Sequence, residues 1–340
     1  MVRAISGEIM WFLAFSLLNV ARADDYCRAL TLESGGSRGA YQVGVMLGLS
    51  EVLPGSDIEW NVVTGISTGS ISAAGVSHFA MGQEAEMAQY LKGVWLGLNG
   101  SASIYEDWNS LGAPYGLLFE QGMYSTAPLR NTLSSVLTHP PLRNVTVGTT
   151  NVNTGKYSTF NESLGMDFIE AVMCSTSAAL FFPPQHFQGD IWGDGGWSIL
   201  LDVFTPIERC LDVVSSESQV IVDIIFCSGS NLNVLPRSSK LSIKQVINRV
   251  SAVRKYDKGM WYAYTAMSAY PDVNFRYLFV PSASMPGGVE PLDFNRTNLE
   301  NEMALGTSDA YAMVQERLDP RQIVLEWKLT RYNQVRPFSR

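Results

Sequence analysis

Short apolar runs alternate along this chain with longer segments in which apolar residues recur at helical spacing. The strand-like runs cover residues 27–33, 60–65, 144–161 around a turn at 153–155, 218–228 and 274–280. The helical patterns cover residues 40–53, 70–81, 86–98, 167–178, 241–254 and 308–318. Strands that alternate with helices predict a three-layer α/β/α fold, in which helices cover both faces of a mostly parallel central sheet.

The sequence contains no internal repeat, no low-complexity tract and no linker that would divide it. Residues 24–340 are therefore expected to form one domain, with a motif-bearing core at about 30–206 and C-terminal strands and helices to about 318. The composition, with 46% hydrophobic and 16% charged residues, is that of a globular chain with a large core. The net charge of −8 argues against nucleic acid as a partner, because it gives no electrostatic footprint for a nucleic acid and the sequence has no basic run of the kind that binds its phosphates.

The N-terminus has the layout of an export signal. Arg3 precedes an apolar stretch at residues 9–20, and Ala21-Arg22-Ala23 follows it in an A-x-A arrangement. This order predicts a secretory signal peptide at residues 1–23, cleaved before Asp24. A retained signal anchor is the alternative, although the stretch is short for a membrane span, which needs roughly 20 apolar residues. The predicted location is the secretory pathway, with the mature protein extracellular or in a lumenal organelle.

Glycosylation triplets and cysteines agree with export. Four N-x-S/T triplets give the glycosylation candidates Asn99, Asn144, Asn161 and Asn295. The four cysteines have no C-x-x-C spacing, which argues against a zinc cluster; they are Cys27, Cys174, Cys210 and Cys227. One or two disulfides, in any of three full pairings, and buried free thiols are the open alternatives.

A glycine-rich segment, "ESGGSRGAY" at residues 33–41, follows a predicted strand and opens a predicted helix. Such a turn presents several backbone N–H groups to one point, and the helix behind it adds partial positive charge. It can bind a phosphate or the oxyanion of a tetrahedral acyl intermediate. The spacing of Gly35, Gly36 and Gly39 fits neither a dinucleotide fingerprint nor a P-loop. A turn that serves only close packing is the alternative.

The segment "TGISTGS" at residues 64–70 places Ser67 between Gly65 and Gly69, after an apolar strand and before a helix of small residues. In this context G-x-S-x-G forms a nucleophile elbow, which raises the serine hydroxyl at the carboxyl edge of the sheet. A nucleophilic serine needs a base, and the chain has three histidines, His78, His139 and His186. None stands late in the chain, where an α/β-hydrolase has its histidine, so a Ser-His-Asp triad is poorly supported.

A third motif supplies a carboxylate instead. Asp194 stands directly before Gly195-Gly196, and "STSAALFFPP" at residues 175–184 precedes it. Alone, D-G-G is a common turn. In this order, however, the glycine-rich segment, the elbow, the proline pair Pro183-Pro184 and D-G-G resemble the patatin-like phospholipase family, over about residues 30–310.

The resemblance implies a patatin-like fold with a serine–aspartate dyad that needs no histidine, metal or cofactor. Ser67 would be the nucleophile and Asp194 the base, and water would hydrolyse the acyl-serine intermediate. The implied oxyanion loop, in which the amides of the first three residues are the donors, consists of Gly35, Gly36, Ser37, Arg38 and Gly39. The implied reaction is phospholipase A-type cleavage of phospholipids or other acyl lipids, during transient contact with a membrane or micelle surface.

Two positions depart from the family pattern. Ser34 stands where a third consecutive glycine is usual, and Thr68 where alanine is frequent. Serine tolerates fewer backbone conformations than glycine, so the first oxyanion turn is expected to differ slightly. The departures motivate an alternative function, that of a secreted lipid-binding or storage protein; an esterase of soluble esters is a third. Five apolar residues are candidates either for an acyl groove or for the core: Leu180, Phe181, Phe182, Trp192 and Trp197.

Overall fold

The computed structural model describes residues 26–229, 236, 238–285 and 291–332. The predicted signal peptide lies outside the described residues. The described strands are β1 Cys27–Leu32, β2 Val62–Ile66, β3 Glu106–Asp107, β4 Tyr124–Ser125, β5 Asn144–Asn151, β6 Tyr157–Asn161, β7 Gln185–Phe187, β8 Asp190–Asp194, β9 Val220–Ile225 and β10 Asn274–Phe279. The described helices are α1 Gly39–Val52, α2 Thr68–Ser77, α3 Glu84–Leu96, α4 Ala113–Phe119, α5 Ala127–Val136, α6 Phe168–Ser175, α7 Phe204–Leu211, α8 Ile243–Ala269, α9 Arg296–Glu316 and α10 Pro320–Tyr332.

The main sheet confirms the predicted α/β fold. Its strand order is β10-β9-β1-β2-β5-β8-β7, and β6 also pairs with β5. Strands β10, β9, β1, β2 and β5 run parallel, whereas β6, β7 and β8 join as antiparallel strands. Two apolar cores cover the two faces of the sheet, and neighbouring strand residues such as Ala29 and Leu30 belong to opposite cores. The parallel part therefore lies between two helix layers.

The order of the strands around β5 positions the site. Gly148 of β5 pairs with Ile66 of β2 on one edge and with Thr159 of β6 on the other. The next β5 residue is Thr149. On the β6 edge it pairs with β6, and on the β2 edge it pairs with Asp194 of β8. Strands β2 and β8 consequently follow each other along one edge of β5, and β8 takes the place that β2 leaves when its chain turns away.

Glycines bring α1 and α9 into backbone contact. A Cβ atom on Gly44 would lie 2.1 Å from the Met303 carbonyl oxygen, and one on Gly306 would lie 2.3 Å from the Tyr41 carbonyl oxygen. Both distances are far inside van der Waals contact, so only glycine fits. The glycines that interrupt the apolar pattern of α1 thus serve close helix packing.

Three helical predictions differ from the structure. Helix α6 ends at Ser175, well before the proline pair. Helix α8 extends to Ala269, far beyond the predicted residue 254, because Gly259 packs against Phe226 and so does not end the helix. The pattern at residues 308–318 is only the end of the longer α9, and no sequence pattern predicted α10.

The cysteines resolve into one bridge and two thiols. Cys27 of β1 forms a disulfide with Cys210 of α7, whereas Cys174 and Cys227 are buried free thiols.

Among the glycosylation candidates, Asn99, Asn161 and Asn295 are exposed and Asn144 is partly buried. None of the helices that the structure describes is both apolar enough and long enough to cross a bilayer.

Candidate active site

Ser67 forms a strained turn between β2 and α2. Its backbone angles are φ 56° and ψ −122°, in a region that side-chain-bearing residues rarely adopt. Such a conformation costs about 1–3 kcal/mol and persists only where the surroundings enforce it. Ser67 is partly exposed although its neighbours on both sides are buried. The geometry is that expected of a nucleophile elbow.

A hydrogen bond from the Ser67 backbone to a side chain of helix α6 holds this turn. The Ser67 N–H donates to Ser175 Oγ at 2.9 Å, and Ser175 Oγ donates to the Gly148 carbonyl oxygen at 2.7 Å. Ser175 is fully buried at the end of α6. It therefore ties the elbow to β5, a role that the sequence did not reveal because α6 lies far along the chain from Ser67.

The two elbow glycines leave no space for a side chain. A Cβ on Gly65 would lie 2.0 Å from the Gly69 carbonyl oxygen, and a Cβ on Gly69 would lie 2.3 Å from the Leu32 carbonyl oxygen. The first contact closes the turn from strand to helix. The second presses the start of α2 against the end of β1, where the glycine-rich segment begins.

The glycine-rich loop has one occupied amide and two unoccupied ones. Gly36 has φ +60°, and the Ser37 N–H donates to the Pro291 carbonyl oxygen at 2.7 Å. Within the described ranges, the amides of Gly35 and Gly36 donate no hydrogen bond. Two of the three predicted oxyanion donors are thus available, and the third is engaged by the segment that leads into α9.

Asp194 ends β8 in a buried, hydrogen-bonded position. Its side chain is nearly inaccessible, its Oδ1 accepts the Gly196 N–H at 2.7 Å, and its own N–H donates to the Ser177 carbonyl oxygen at 3.1 Å. Asp194 lies opposite Thr149 on the β5 edge where Ile66 lies opposite Gly148. Adjacent register positions are about 3.3 Å apart along a strand. Asp194 therefore follows the elbow at the next position along the same edge.

Close contacts join all three motifs at this edge. A Cβ on Gly39 would lie 2.4 Å from Thr68 Oγ1, which links the glycine-rich segment to the elbow. A Cβ on Gly195 would lie 2.9 Å from Ile66 Cγ2, and one on Gly196 would lie 3.3 Å from Ser34 Oγ. Both positions that depart from the family pattern, Ser34 and Thr68, thus contact the other motifs.

Two buried carboxylates behind the glycine-rich loop were not predicted. Glu33 accepts hydrogen bonds from the N–H groups of Cys227 and Ser228 and from Ser228 Oγ, yet burial raises its pKa to about 7. Glu302 of α9 is also buried, and neither of its carboxylate oxygens has a hydrogen-bond partner among the described residues. Burial raises the pKa of Glu302 to about 8, against the opposing charge of Arg38. For Glu33 the available signal was a single acid at the end of an apolar strand; Glu302, with Glu300 two residues before it, offered no comparable signal.

The histidines lie away from the elbow. His78 follows the last residue of α2 and stacks on His139 with ring centroids 3.6 Å apart. At a rise of about 1.5 Å per residue, α2 separates His78 from Ser67 by roughly 16 Å. His186 is exposed on β7. The length of α2 thus keeps His78 and its stacking partner His139 away from Ser67.

The five candidate groove residues divide between core and surface. Phe182 and Trp192 are buried and Phe181 is partly buried, whereas Leu180 is 58% exposed and Trp197 is 38% exposed. Only the last two present substantial apolar surface. No group of three or more potential metal ligands occurs in the described part of the chain.

The fold and the site define an α/β protein with a serine on a strained elbow and a buried aspartate beside it on the same strand edge. The family described as patatin-like phospholipase matches residues 30–205, over half of the sequence. The chain belongs to the patatin-like phospholipase family.

Two further proteins are similar to this chain. A "cGAMP-activated phospholipase" of Escherichia coli (strain TW11681) is 26% identical over 240 residues, which cover 62% of this chain and 64% of the relative. The chain thus spans slightly less than two thirds of that relative's length. The crystal structure of VipD from Legionella pneumophila aligns with a TM-score of 0.40 and 11% identity, covering 86% of this chain and 67% of that one.

Proposed function

We propose that this protein is a lipid acyl hydrolase in which Ser67 attacks a fatty-acyl ester and Asp194 accepts the serine proton. The observation that carries the proposal is the register around β5, since Ser67 follows Ile66 and Asp194 takes the next position on that edge. The strained backbone of Ser67 also supports the proposal, because a serine occupies a conformation that glycine would adopt without strain.

The reaction would form and break one acyl-enzyme. Ser67 Oγ attacks the ester carbonyl, and the amides of Gly35 and Gly36 donate to the developing oxyanion. The start of α2 directly behind Ser67 adds partial positive charge. The tetrahedral intermediate collapses to the acyl-enzyme with loss of the alcohol, which receives the proton from Asp194. Water activated by the same carboxylate then hydrolyses the acyl-enzyme and releases the fatty acid.

A solvated carboxylate is a weak base toward a hydroxyl group. Asp194 is only 4% exposed, so little water competes with the substrate side of the site for its carboxylate. One hydrogen bond, from the Gly196 N–H, holds Oδ1. We infer that this arrangement orients the carboxylate toward the elbow.

The proposed export of the protein has structural support of its own. Disulfides persist in oxidising compartments and are rare in reducing ones. The bridge between Cys27 and Cys210 is therefore in keeping with the proposed passage through the secretory pathway.

Single substitutions test the dyad. Ser67→Ala and Asp194→Asn are each expected to lower fatty-acid release from phospholipid vesicles by about 10³-fold or more. The matched control is Asp190→Asn at the other end of β8, which is expected to retain activity. Substantial activity in either dyad variant would rule out the assignment.

A non-catalytic lipid-binding protein is the second candidate. The hydrogen bond from the Ser37 amide to the Pro291 carbonyl favours it, because this bond occupies one predicted oxyanion donor. A fluorophosphonate probe separates the two candidates, since it modifies only an activated serine. We expect labelling of the parent protein and none of Ser67→Ala; an unlabelled parent would favour the binding protein.

A further inference from the structure

The first half of α8 extends beyond the edge of the sheet that carries the elbow. Tyr256 is the first buried residue of this helix. Gly259, one turn later, packs against Glu33 at the carboxyl end of β1, where a Cβ would lie 2.7 Å from Glu33 Oε1. Because α8 joins the parallel strands β9 and β10, it runs opposite to them, and its earlier turns lie outside that edge. Ile243 is roughly 24 Å along the helix from Gly259.

We call residues 243–255, together with Lys240 just before the helix, the α8 arm. Its exposed apolar side chains repeat at the spacing of one helix face, and they are Ile243 at 79%, Val246 at 43%, Ile247 at 50% and Val250 at 46% exposure. This i, i+3, i+4, i+7 spacing is that of a stripe which normally packs on a core. In the arm the stripe faces outward.

Every charged side chain of the arm is basic. Residues 240–255 contain five basic side chains and no aspartate or glutamate, in a chain of net charge −8; the basic residues are Lys240, Lys244, Arg249, Arg254 and Lys255. Lys244 occupies the first turn, where the helix dipole disfavours a cation. A capping box between Ser242 and Gln245 starts the helix in spite of this charge. Lys244 therefore does not stabilise the helix through the helix dipole.

The arm also leads to the glycine-rich loop. Ala252 and Lys255 line a cavity of about 50 Å³ together with Arg38 and Ser228. Arg38 in turn donates to the Cys227 carbonyl oxygen at 3.4 Å. A surface held at the arm would consequently lie on the same side of the molecule as Ser67.

We propose that the α8 arm docks the protein on an anionic phospholipid surface. An outward apolar stripe bordered by cations is the pattern of a helix that lies in a membrane interface, with apolar side chains below the headgroups and lysines among them. The proposal rests on the proposed function, since it names the surface from which Ser67 would take its substrate. Pairing between two copies of the arm is disfavoured because both carry the same charge.

The test measures binding in the Ser67→Ala background, in which the proposed reaction cannot consume the lipid. The probes are vesicles of equal parts phosphatidylcholine and phosphatidylserine, and vesicles of phosphatidylcholine alone. We expect strong co-sedimentation with the anionic vesicles only. The double variants Ile243→Ser/Ile247→Ser and Lys240→Gln/Lys244→Gln are each expected to weaken that binding by about tenfold or more.

Matched controls make the same chemical changes elsewhere. Lys92→Gln/Lys156→Gln removes two exposed lysines away from the arm, and Leu325→Ser/Leu329→Ser removes two exposed leucines of α10. Both controls are expected to bind anionic vesicles like the parent. Unchanged unfolding midpoints in all variants would show that the arm residues do not act through stability.

Three results would overturn the docking proposal: arm variants that bind like the parent, equal binding to neutral vesicles, or arm variants that change only the oligomeric state in gel filtration.

Hydrolysis of a water-soluble short-chain ester, measured with Ser67 intact, separates this proposal from the proposed function. We expect arm variants to retain that hydrolysis while losing activity on vesicles. A parent that hydrolyses no ester would refute the proposed function and leave the vesicle result standing.

Discussion

The parallel half of the sheet and its antiparallel flank each supply one part of the site, and they hold it differently. In the parallel half, Ser67 is fixed by contacts at Gly65 and Gly69 that leave no room for a Cβ atom. In the flank, Asp194 is fixed by individual hydrogen bonds from and to neighbouring residues. The nucleophile thus depends on backbone shape and the carboxylate on polar partners.

This difference has energetic consequences. A backbone atom that blocks a new side chain cannot move unless its whole strand moves. A clash at such a glycine therefore cannot be relieved locally and destabilises the surrounding fold. A single hydrogen bond contributes only about 0.5–1.5 kcal/mol net. Substitutions in the parallel half are therefore expected to cost more than substitutions in the flank.

Gly69→Ala is expected to give the largest effect. Its Cβ would meet the Leu32 carbonyl oxygen at 2.3 Å, and the expected loss of folding free energy is about 3 kcal/mol or more. Gly93→Ala in α3 is the matched control, because no atom lies within 4 Å of the added Cβ there. We expect that control to gain up to about 1 kcal/mol, since alanine favours helix. Chemical denaturation checks both; similar stability of the two variants would refute the comparison.

Glu302→Gln is expected to change the pH dependence of stability. Burial raises the folded-state pKa of Glu302 from 4.5 to about 8, so its contribution to stability is complete below pH 4.5 and is lost as the pH rises through about 8. Over this interval the parent is expected to lose up to about 1.4 kcal/mol per pH unit relative to the variant. Glu33 titrates in the same direction but is present in both proteins.

Denaturation of the parent and Glu302→Gln across this pH interval measures the difference. Glu316→Gln, at an exposed position of the same helix, is the control and should follow the parent. Parallel stability curves for the parent and Glu302→Gln would contradict the raised pKa.

Ser175→Ala tests the hydrogen bond that joins the two regions. Its loss leaves the Ser67 N–H without its 2.9 Å acceptor, at an expected cost of about 1–3 kcal/mol. We expect kcat to fall about 10- to 100-fold with little change in KM, because the elbow relaxes while the lipid-binding surface remains. Ser177→Ala is the control, because the Ser177 hydroxyl donates to the Met173 carbonyl oxygen one turn earlier in the same segment. A change in KM alone would argue against a positioning role.

Local sequence signals predicted more of the parallel half than of the flank. The strands and helices at residues 27–98 follow from alternating apolar runs, and the elbow follows from Gly65, Ser67 and Gly69 together. By contrast, β7 and β8 form a short hairpin, and the other partner of β8, strand β5, lies about 40 residues earlier in the chain. Their apolar pattern is too brief to indicate strands.

The same reason explains the residues that the sequence did not reveal. Ser175 and Glu302 act across separations of more than a hundred residues, and neither belongs to a recognisable motif. The sequence indicated an amphipathic helix at 241–254, but an apolar stripe looks the same whether it faces a core or solvent. Only the contacts of Gly259 show that the arm lies outside the sheet.

By itself, the sequence determined the alternation of strands and helices, the turn around Ser67 and the carboxylate that begins the D-G-G motif. These depend on residues close together in the chain, through apolar periodicity and the conformational freedom of glycine. The tertiary structure alone decided that β8 follows β2 along one edge of β5, that the Ser37 amide is occupied, and that Glu302 is buried without a hydrogen-bond partner among the described residues. Those features arise from contacts between distant segments, for which no local pattern exists.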